Sequence, residues 1–256
     1  MKAMLHVHTC FSSDGELVPS TIGRLARERG FQAVLLADHF ESLDGDSFAA
    51  LAEECRWVKE CLLVPGYERS FSGYHVLALG VERWIEDPEP QLWADRVREA
   101  GGLVAIAHPG RYTHCIPAPL LDACDAVEVW NSKPPYDGPT GPDPRAYRLL
   151  GAVRLPLCGQ DLHGVRHLSP VGVELPDGCT GAREIVAAIR RGDYRMTNGR
   201  RSFGRELTPA ARWTLTGFHG ARRRLVDLAI GVRTGVRRAT AAQRIAPARA
   251  PEAHDP

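Results

Sequence analysis

Six of the ten histidines stand where apolar runs stop, which suits imidazole rings for gripping a cation. His6 and His8 form a His-x-His pair, and residues i and i+2 of a strand face the same way, so both rings reach one ion. Asp38-His39 follows the run Val34-Leu35-Leu36-Ala37, and Glu68 follows Leu62-Leu63-Val64-Pro65-Gly66. His75 lies in the next apolar segment, His108 follows Leu103–Ala107, and Asp161 and His163 follow Leu155–Cys158. A single histidine in such a place is ordinarily a packed or surface residue. Six imidazoles and two carboxylates repeating the pattern at one edge are not explained that way. Imidazole and carboxylate together suit Zn, Mn or Fe. Only Cys158 shares a strand end with them, so a thiolate zinc site is not indicated. The set exceeds the needs of one ion and implies two or three divalent cations with a bridging carboxylate. Such a centre makes hydroxide from bound water near neutral pH and clamps attacking and leaving oxygens, which phosphate-ester hydrolysis uses best. Glu68 and Asp161 would act catalytically through the bound metal and hydroxide.

The elements that position these residues alternate. Strand-like runs cover Met4–His8, Phe31–Ala37, Leu62–Pro65, Tyr74–Val81, Leu103–Ala107, Ala126–Trp130, Leu155–Cys158 and Val171–Leu175. Helical patterns cover Pro19–Arg29, Asp46–Cys61, Pro90–Ala100, Pro117–Cys124, Pro144–Gly151 and Ala182–Arg191. Pro19 suits a first helical turn and Gly30 a stop. Strands and helices in alternation predict βαβ units, a mainly parallel sheet and, with about seven units, a closed or nearly closed barrel. The Pro- and Gly-rich stretch Ser132–Pro144 is expected to be a loop that covers the site.

These motifs resemble the PHP (polymerase and histidinol phosphatase) family. The matching residues are His6-Val7-His8-Thr9 with Ser13-Asp14-Gly15, Ala37-Asp38-His39, Gly66-Tyr67-Glu68, His75, His108-Pro109-Gly110-Arg111 and Asp161-Leu162-His163. The resemblance spans roughly residues 1–200. It implies a distorted (β/α)7 TIM-like barrel and a trinuclear metal centre. Carried over by motif, His6, His8, Glu68 and Asp161 would hold one metal. Glu68 would bridge to a second, completed by His75 and His108, while Asp14, His39 and His163 would hold the third. Two departures stand beside ligands: Phe40 replaces the acid that often follows this histidine, and Gln160 replaces a serine.

Around the ligands, Asp38 is expected either to fix an imidazole or strand-end geometry or to cap a helix. Arg111 would either hold a phosphate through two parallel hydrogen bonds or sit in a surface salt bridge. Asn131 and Lys133 would face substrate, and Glu128 reads as a buried structural acid on the Asn131 face. His114, His167, His219 and His254 fit no motif and read as surface residues.

Composition is that of an ordinary globular protein, with 256 residues, 44% hydrophobic, 25% charged and a net charge of +1. Net charge therefore points to no polyanionic partner, but residues 200–256 carry twelve Arg, no Lys and four acids. No run approaches the ~18 apolar residues of a membrane span. The start has no signal-peptide pattern, and the seven cysteines are odd in number without a CxxC pair. A cytoplasmic chain with free thiols is expected. Residues 1–200 are expected to form the metallophosphoesterase domain and 201–256 an Arg-rich extension, partly helical and disordered from about 239. The stretch from Leu215 to Val236 reads as a helix that docks on the barrel or a second subunit, or that meets nucleic acid or an anionic membrane. The expected activity is hydrolysis of a small phosphorylated metabolite or nucleotide by metal-bound hydroxide. The alternative is a non-catalytic metal- or nucleic-acid-binding module using the Arg-rich tail.

Overall fold

A computed structural model describes residues 1–152 and 154–225. The chain divides into two compact units, Met1–Leu215 and Thr216–Pro256. The expected disorder from about residue 239, and the half of the Leu215–Val236 segment beyond residue 225, lie outside the described residues. Residues 209–225 are helical. No described helix is long and apolar enough to cross a membrane.

The first unit is mixed α/β. Among the described residues its strands are β1 (Lys2–Val7), β2 (Ala33–Leu36), β3 (Asp38–His39), β4 (Leu62–Val64), β5 (Gly66–Phe71), β6 (Tyr74–Leu79), β7 (Leu103–Ile106), β8 (Ala126–Asn131), β9 (Leu155–Gly159), β10 (Gly172–Glu174), β11 (Arg195–Thr197) and β12 (Ser202–Phe203). They form two six-stranded sheets, ordered β12-β11-β10-β1-β2-β4 and β3-β5-β6-β7-β8-β9. Runs such as Ala33–Leu36, Leu103–Ile106 and Ala126–Asn131 are buried at every residue, the near-continuous apolar pattern of strands covered on both faces.

The expected mainly parallel sheet is corrected to a mixed one. β1, β2 and β4 run parallel, as do β7, β8 and β9, but β5, β6 and β7 pair antiparallel. The hairpin β5–β6 turns at Ser72-Gly73, both with positive φ, and a two-residue turn can only join antiparallel strands. β10, β11 and β12 also pair antiparallel. The described strands form no single closed barrel. Their two sheets meet where β1 and the chain leaving β9 exchange backbone bonds: Gln160 N–H donates to Leu5 O, Leu162 N–H to His6 O and His8 N–H to Leu162 O, at 2.8–3.2 Å.

The helices are α1 (Pro19–Glu28), α2 (Gly45–Trp57), α3 (Pro90–Glu99), α4 (Ala118–Asp122) and α5 (Ala182–Arg191). α2 starts on a capping box, in which Asp44 accepts from Ser47 N–H and the Ser47 hydroxyl faces Asp44 N–H. It ends at Trp57, four residues before the sequence pattern suggested. The predicted helix Pro144–Gly151 shrinks to a 3-10 turn at Ala146–Leu149. Asp143 instead binds the Arg145 backbone and guanidinium, which fixes the chain as a turn just where the helix would begin.

Candidate metal centre

All nine sequence-predicted ligands meet in one pocket of the first unit. β1 carries His6, and His8 follows its last residue. β3 carries His39, and β5 carries Glu68 at mid-strand rather than after a strand end. Antiparallel β6 delivers His75 from its start, which lies beside the end of β7, where Ala107 N–H donates to His75 O. His108 follows β7, and Asp161 and His163 follow β9.

Glu68 is the hub, and it is buried. Its Oε1 lies 2.9 Å from His75 Nδ1, 3.0 Å from His108 Nε2 and 3.5 Å from His6 Nε2. Its Oε2 lies 3.1 Å from His39 Nδ1 and 3.7 Å from His8 Nε2. One carboxylate thus serves two sets of imidazoles, one set per oxygen. Asp161 Oδ1 stands 3.8 Å from His6 Nε2 and 3.7 Å from His8 Nε2. Asp14, on the turn after β1, closes the outer side: its two oxygens lie 3.3 Å from His39 Nε2 and His163 Nε2.

The buried ring nitrogens His6 Nε2, His8 Nε2, His75 Nδ1 and His108 Nδ1 make no hydrogen bond. His75 Nδ1 comes within 2.9 Å of a carboxylate oxygen without bonding it. Buried ring nitrogens without partners suit a cation, whereas unpaired buried polar atoms are costly otherwise. The close groups His6/His8/Glu68, His6/His108/Asp161, Glu68/His75/His108 and His8/His39/His163 can each hold a metal ion.

Neighbours fix the ring tautomers. His6 Nδ1 lies 2.9 Å from Glu128 Oε1, a pure acceptor when ionised, so Nδ1 donates to it and Nε2 is the nitrogen turned to the pocket. Ser12 Oγ donates to Asp38 Oδ1 at 2.7 Å, so toward His8 Nδ1 at 3.2 Å it accepts, and His8 Nε2 is bare. Asp38 Oδ1 also takes Thr9 N–H and the Thr9 hydroxyl, at 2.7 and 3.0 Å. Asp38 therefore braces the turn after β1 and caps no helix; His39 precedes the next 3-10 turn. Burial opposes charge on His6, yet the carboxylates of Glu128, Asp161 and Glu68 outweigh it and hold its pKa well above the usual imidazole value. Burial and the neighbouring imidazoles push His8 well below it. Glu68, despite burial, is held well below the usual carboxylate range by His6, His108 and His39.

The backbone is bent to this purpose. His6, His108 and Asp161, which form one of the close groups, have φ of 59°, 27° and 49°. Left-handed backbone at non-glycine residues costs on the order of 1–3 kcal/mol each and persists only where surroundings enforce it. Glu128 does part of that enforcing. Its Oε2 accepts His108 N–H at 2.6 Å while its Oε1 takes the His6 ring. His6 sits in a register shift between Leu5 and Val7, so the His-x-His pair meets through a bulge rather than through plain strand alternation. A second shift in β8, between Glu128 and Trp130, turns Glu128 and Asn131 toward each other although they are three residues apart.

The predicted substrate residues divide. Asn131 is buried, donates to Glu128 Oε2 at 2.9 Å and accepts Lys133 N–H at 3.0 Å, so its amide is turned onto the protein. Lys133 Nζ reaches into the cluster. Arg111 is exposed on the turn Pro109–Tyr112 and forms no ion pair with a described residue. The Ser132–Pro144 loop lies over the pocket through Tyr136, whose ring stacks on His108 at 5.2 Å between centroids. His114 is not a surface residue: its ring is buried and 3.4 Å from Asp143. His219 is buried too, and His254 lies outside the described residues. Sequence reasoning read Glu128 as a buried structural acid, which it is, but missed its bonds to His6 and His108, and it missed the part played by Ser12. An acid inside the apolar run Ala126–Trp130 is a signal for the first; nothing in Ser12-Ser13-Asp14-Gly15 singled out the second.

No family model matches the chain, and no curated protein matches it. Among solved structures, the chain is similar to a Bifidobacterium adolescentis protein provisionally described as a metal-dependent phosphoesterase. The identity is 19%, 63% of this chain and 87% of the other are covered, and the TM-score is 0.46. A likeness that distant carries no argument about activity.

Proposed function

We propose that the chain is a metal-dependent phosphoesterase of the PHP kind, with a multinuclear centre built on the nine converging side chains. The observation that carries this reading is the set of three buried, unpartnered imidazole nitrogens around Glu68 (His6 Nε2, His8 Nε2 and His75 Nδ1), together with the two Glu68 oxygens that serve different histidines. The donor set fits two or three Mn, Zn or Fe ions. His6, His8, Glu68 and Asp161 would hold the first, Glu68, His75 and His108 the second, and Asp14, His39 and His163 the third. Bound there, such ions supply Lewis-acid activation of water and of the phosphoryl group.

The chain's own residues do the rest. Glu128 and Ser12 hold His6 and His8 in the tautomers that present Nε2. Glu68 keeps the two imidazole sets at a fixed separation, and Asp161 completes the inner wall. Arg111, which forms no ion pair with a described residue, supplies two parallel donors to phosphoryl oxygens, and Lys133 adds a second positive charge at the pocket. Tyr136 and its loop cover the His108 side and limit water there. The bonds that join β9 to β1 support reading the two sheets as one distorted barrel, with the Arg-rich C-terminal stretch as an appendage.

The test is release of inorganic phosphate from an aryl phosphate and a panel of nucleotides and sugar phosphates by purified protein with Mn or Zn. Activity that vanishes in His8→Ala supports the reading. No turnover with any metal, or undiminished turnover in that variant, refutes it.

A further inference from the structure

Lys133 opens the loop after β8 from an anchored backbone. Its N–H donates to Asn131 Oδ1 at 3.0 Å, and its carbonyl accepts Tyr136 N–H at 2.9 Å. From that point Nζ reaches Asp161 Oδ1 at 2.9 Å and His163 Nδ1 at 3.1 Å. The same Asp161 oxygen faces His6 Nε2 and His8 Nε2. Glu68, Glu128 and Asp161 are three buried carboxylates in one cluster. Among the described residues, Lys133 is the only lysine or arginine that hydrogen-bonds any of them.

The contact with His163 has a second effect. His163 Nδ1 has two neighbours, Lys133 Nζ at 3.1 Å and the Asp161 carbonyl oxygen at 3.0 Å. An ammonium has no lone pair, so toward Lys133 the ring nitrogen must accept, which leaves the ring proton on Nε2. A carbonyl has no proton, so toward Asp161 the ring nitrogen must donate, which leaves Nε2 bare. Only the bare form can bind a cation through Nε2, the atom that faces Asp14 Oδ2 at 3.3 Å and His39 Nε2 at 3.4 Å.

We propose that Lys133 is a built-in competitor of the metal: its ammonium claims the Asp161 oxygen and sets the His163 tautomer, and so weakens cation binding both at Asp161 and on the Asp14–His39–His163 side. A cation that wins this contest releases the ammonium, on a side chain 22% exposed, toward the phosphoryl oxygens of a substrate. This inference rests on the metal-centre reading above, and its test separates the two.

The experiment titrates the chelator-treated full chain with Mn²⁺ or Zn²⁺ against a chromophoric chelator at one fixed pH. Wild type is compared with Lys133→Met, which keeps the stem and drops the charge, and with Lys133→Arg, which keeps the charge. Removing one charge-assisted hydrogen bond to Asp161 should tighten the weakest-bound ion about tenfold in the Met variant, with the Arg variant close to wild type. Nitrogen-15 spectra of the His163 ring in the metal-stripped protein should move toward the Nδ1–H tautomer in Lys133→Met, which a merely structural lysine would not cause. Unchanged or weaker binding in Lys133→Met, or an unmoved His163 tautomer, overturns the inference while leaving the centre intact. A folded wild-type chain that takes up no ion overturns the centre and this inference with it.

Discussion

A single methyl group added at Gly159 tests whether Glu128 governs the centre. A Cβ built there would stand 1.7 Å from Glu128 Oε1 and 2.8 Å from His6 Cβ, distances no packed structure tolerates. The carboxylate would have to leave its seat between β8 and β9. Three hydrogen bonds go with it: to the His6 ring at 2.9 Å, to His108 N–H at 2.6 Å and to the Asn131 amide at 2.9 Å. At about 1–1.5 kcal/mol net for each, Gly159→Ala should cost about 3–5 kcal/mol of folding stability. The His6 tautomer would lose its anchor as well, and losses of that kind weaken metal affinity by about 10–100-fold. Glu128→Gln separates the two effects, since it keeps the shape and removes the charge. It should lose about tenfold in metal affinity with a stability loss of about 1–2 kcal/mol. Urea unfolding of the metal-stripped chain and metal titration read both quantities. A Gly159→Ala protein with the wild-type unfolding midpoint and wild-type metal affinity would refute the assignment of Glu128 as the group that orients His6.

Further expectations can be checked alongside. Ser12→Ala removes the hydroxyl between Asp38 and His8, so metal affinity should fall about tenfold, read by the same titration. Asp143, although buried, is held well below the usual carboxylate range by His114 and Arg145. Its folded pKa is therefore depressed, so its stabilisation is full above the unfolded value of ~3.9 and fades as pH falls through the folded value. The stability gap between wild type and Asp143→Asn should be widest above about pH 5 and should shrink in urea titrations below about pH 4. Divalent metal should raise the melting temperature, with about 2.7 kcal/mol of stabilisation at a hundredfold excess over the dissociation constant; chelator should reverse it in a thermal melt, and an unchanged melt would count against the centre.

How far the sequence reached can be seen residue by residue. Eight of the nine side chains were legible because each is a polar residue beside or within an apolar run, and apolar runs are the strongest local signal a sequence holds, whereas Asp14 was indicated only by the family resemblance. The strand β5 was not legible. Gly66–Phe71 interleaves Glu68, Arg69 and Ser70 with aromatics, and its pairing to β6 is a tertiary matter. The short β11 and β12 carry too few residues for a period to show. The path of the chain through His6 and Asp161 was hidden for another reason. Simple alternation brings His6 and His8 to one face, and that expectation gives the right neighbours, but the chain reaches them through a bulge and a positive φ. Nothing in residue type announces such a conformation, because it is imposed by partners distant in sequence, among them Glu128. Asn131 shows the converse: its place at the end of β8 suggested a group open to substrate, but a bulge turned its amide onto Glu128.

The left-handed main chain at His6, His108 and Asp161 has a consequence for any attempt to make this protein sturdier. At these three positions glycine would let the main chain rest where it already is. Relieving that strain with glycine would also delete a buried side chain that faces the cluster and, at His6, would strand the Glu128 carboxylate, so such a variant would lose both packing and the metal site. An unstrained main chain and ion capture pull against each other at these points of the chain, so a sound engineering effort would hold all three fixed and look for gains in the helices instead.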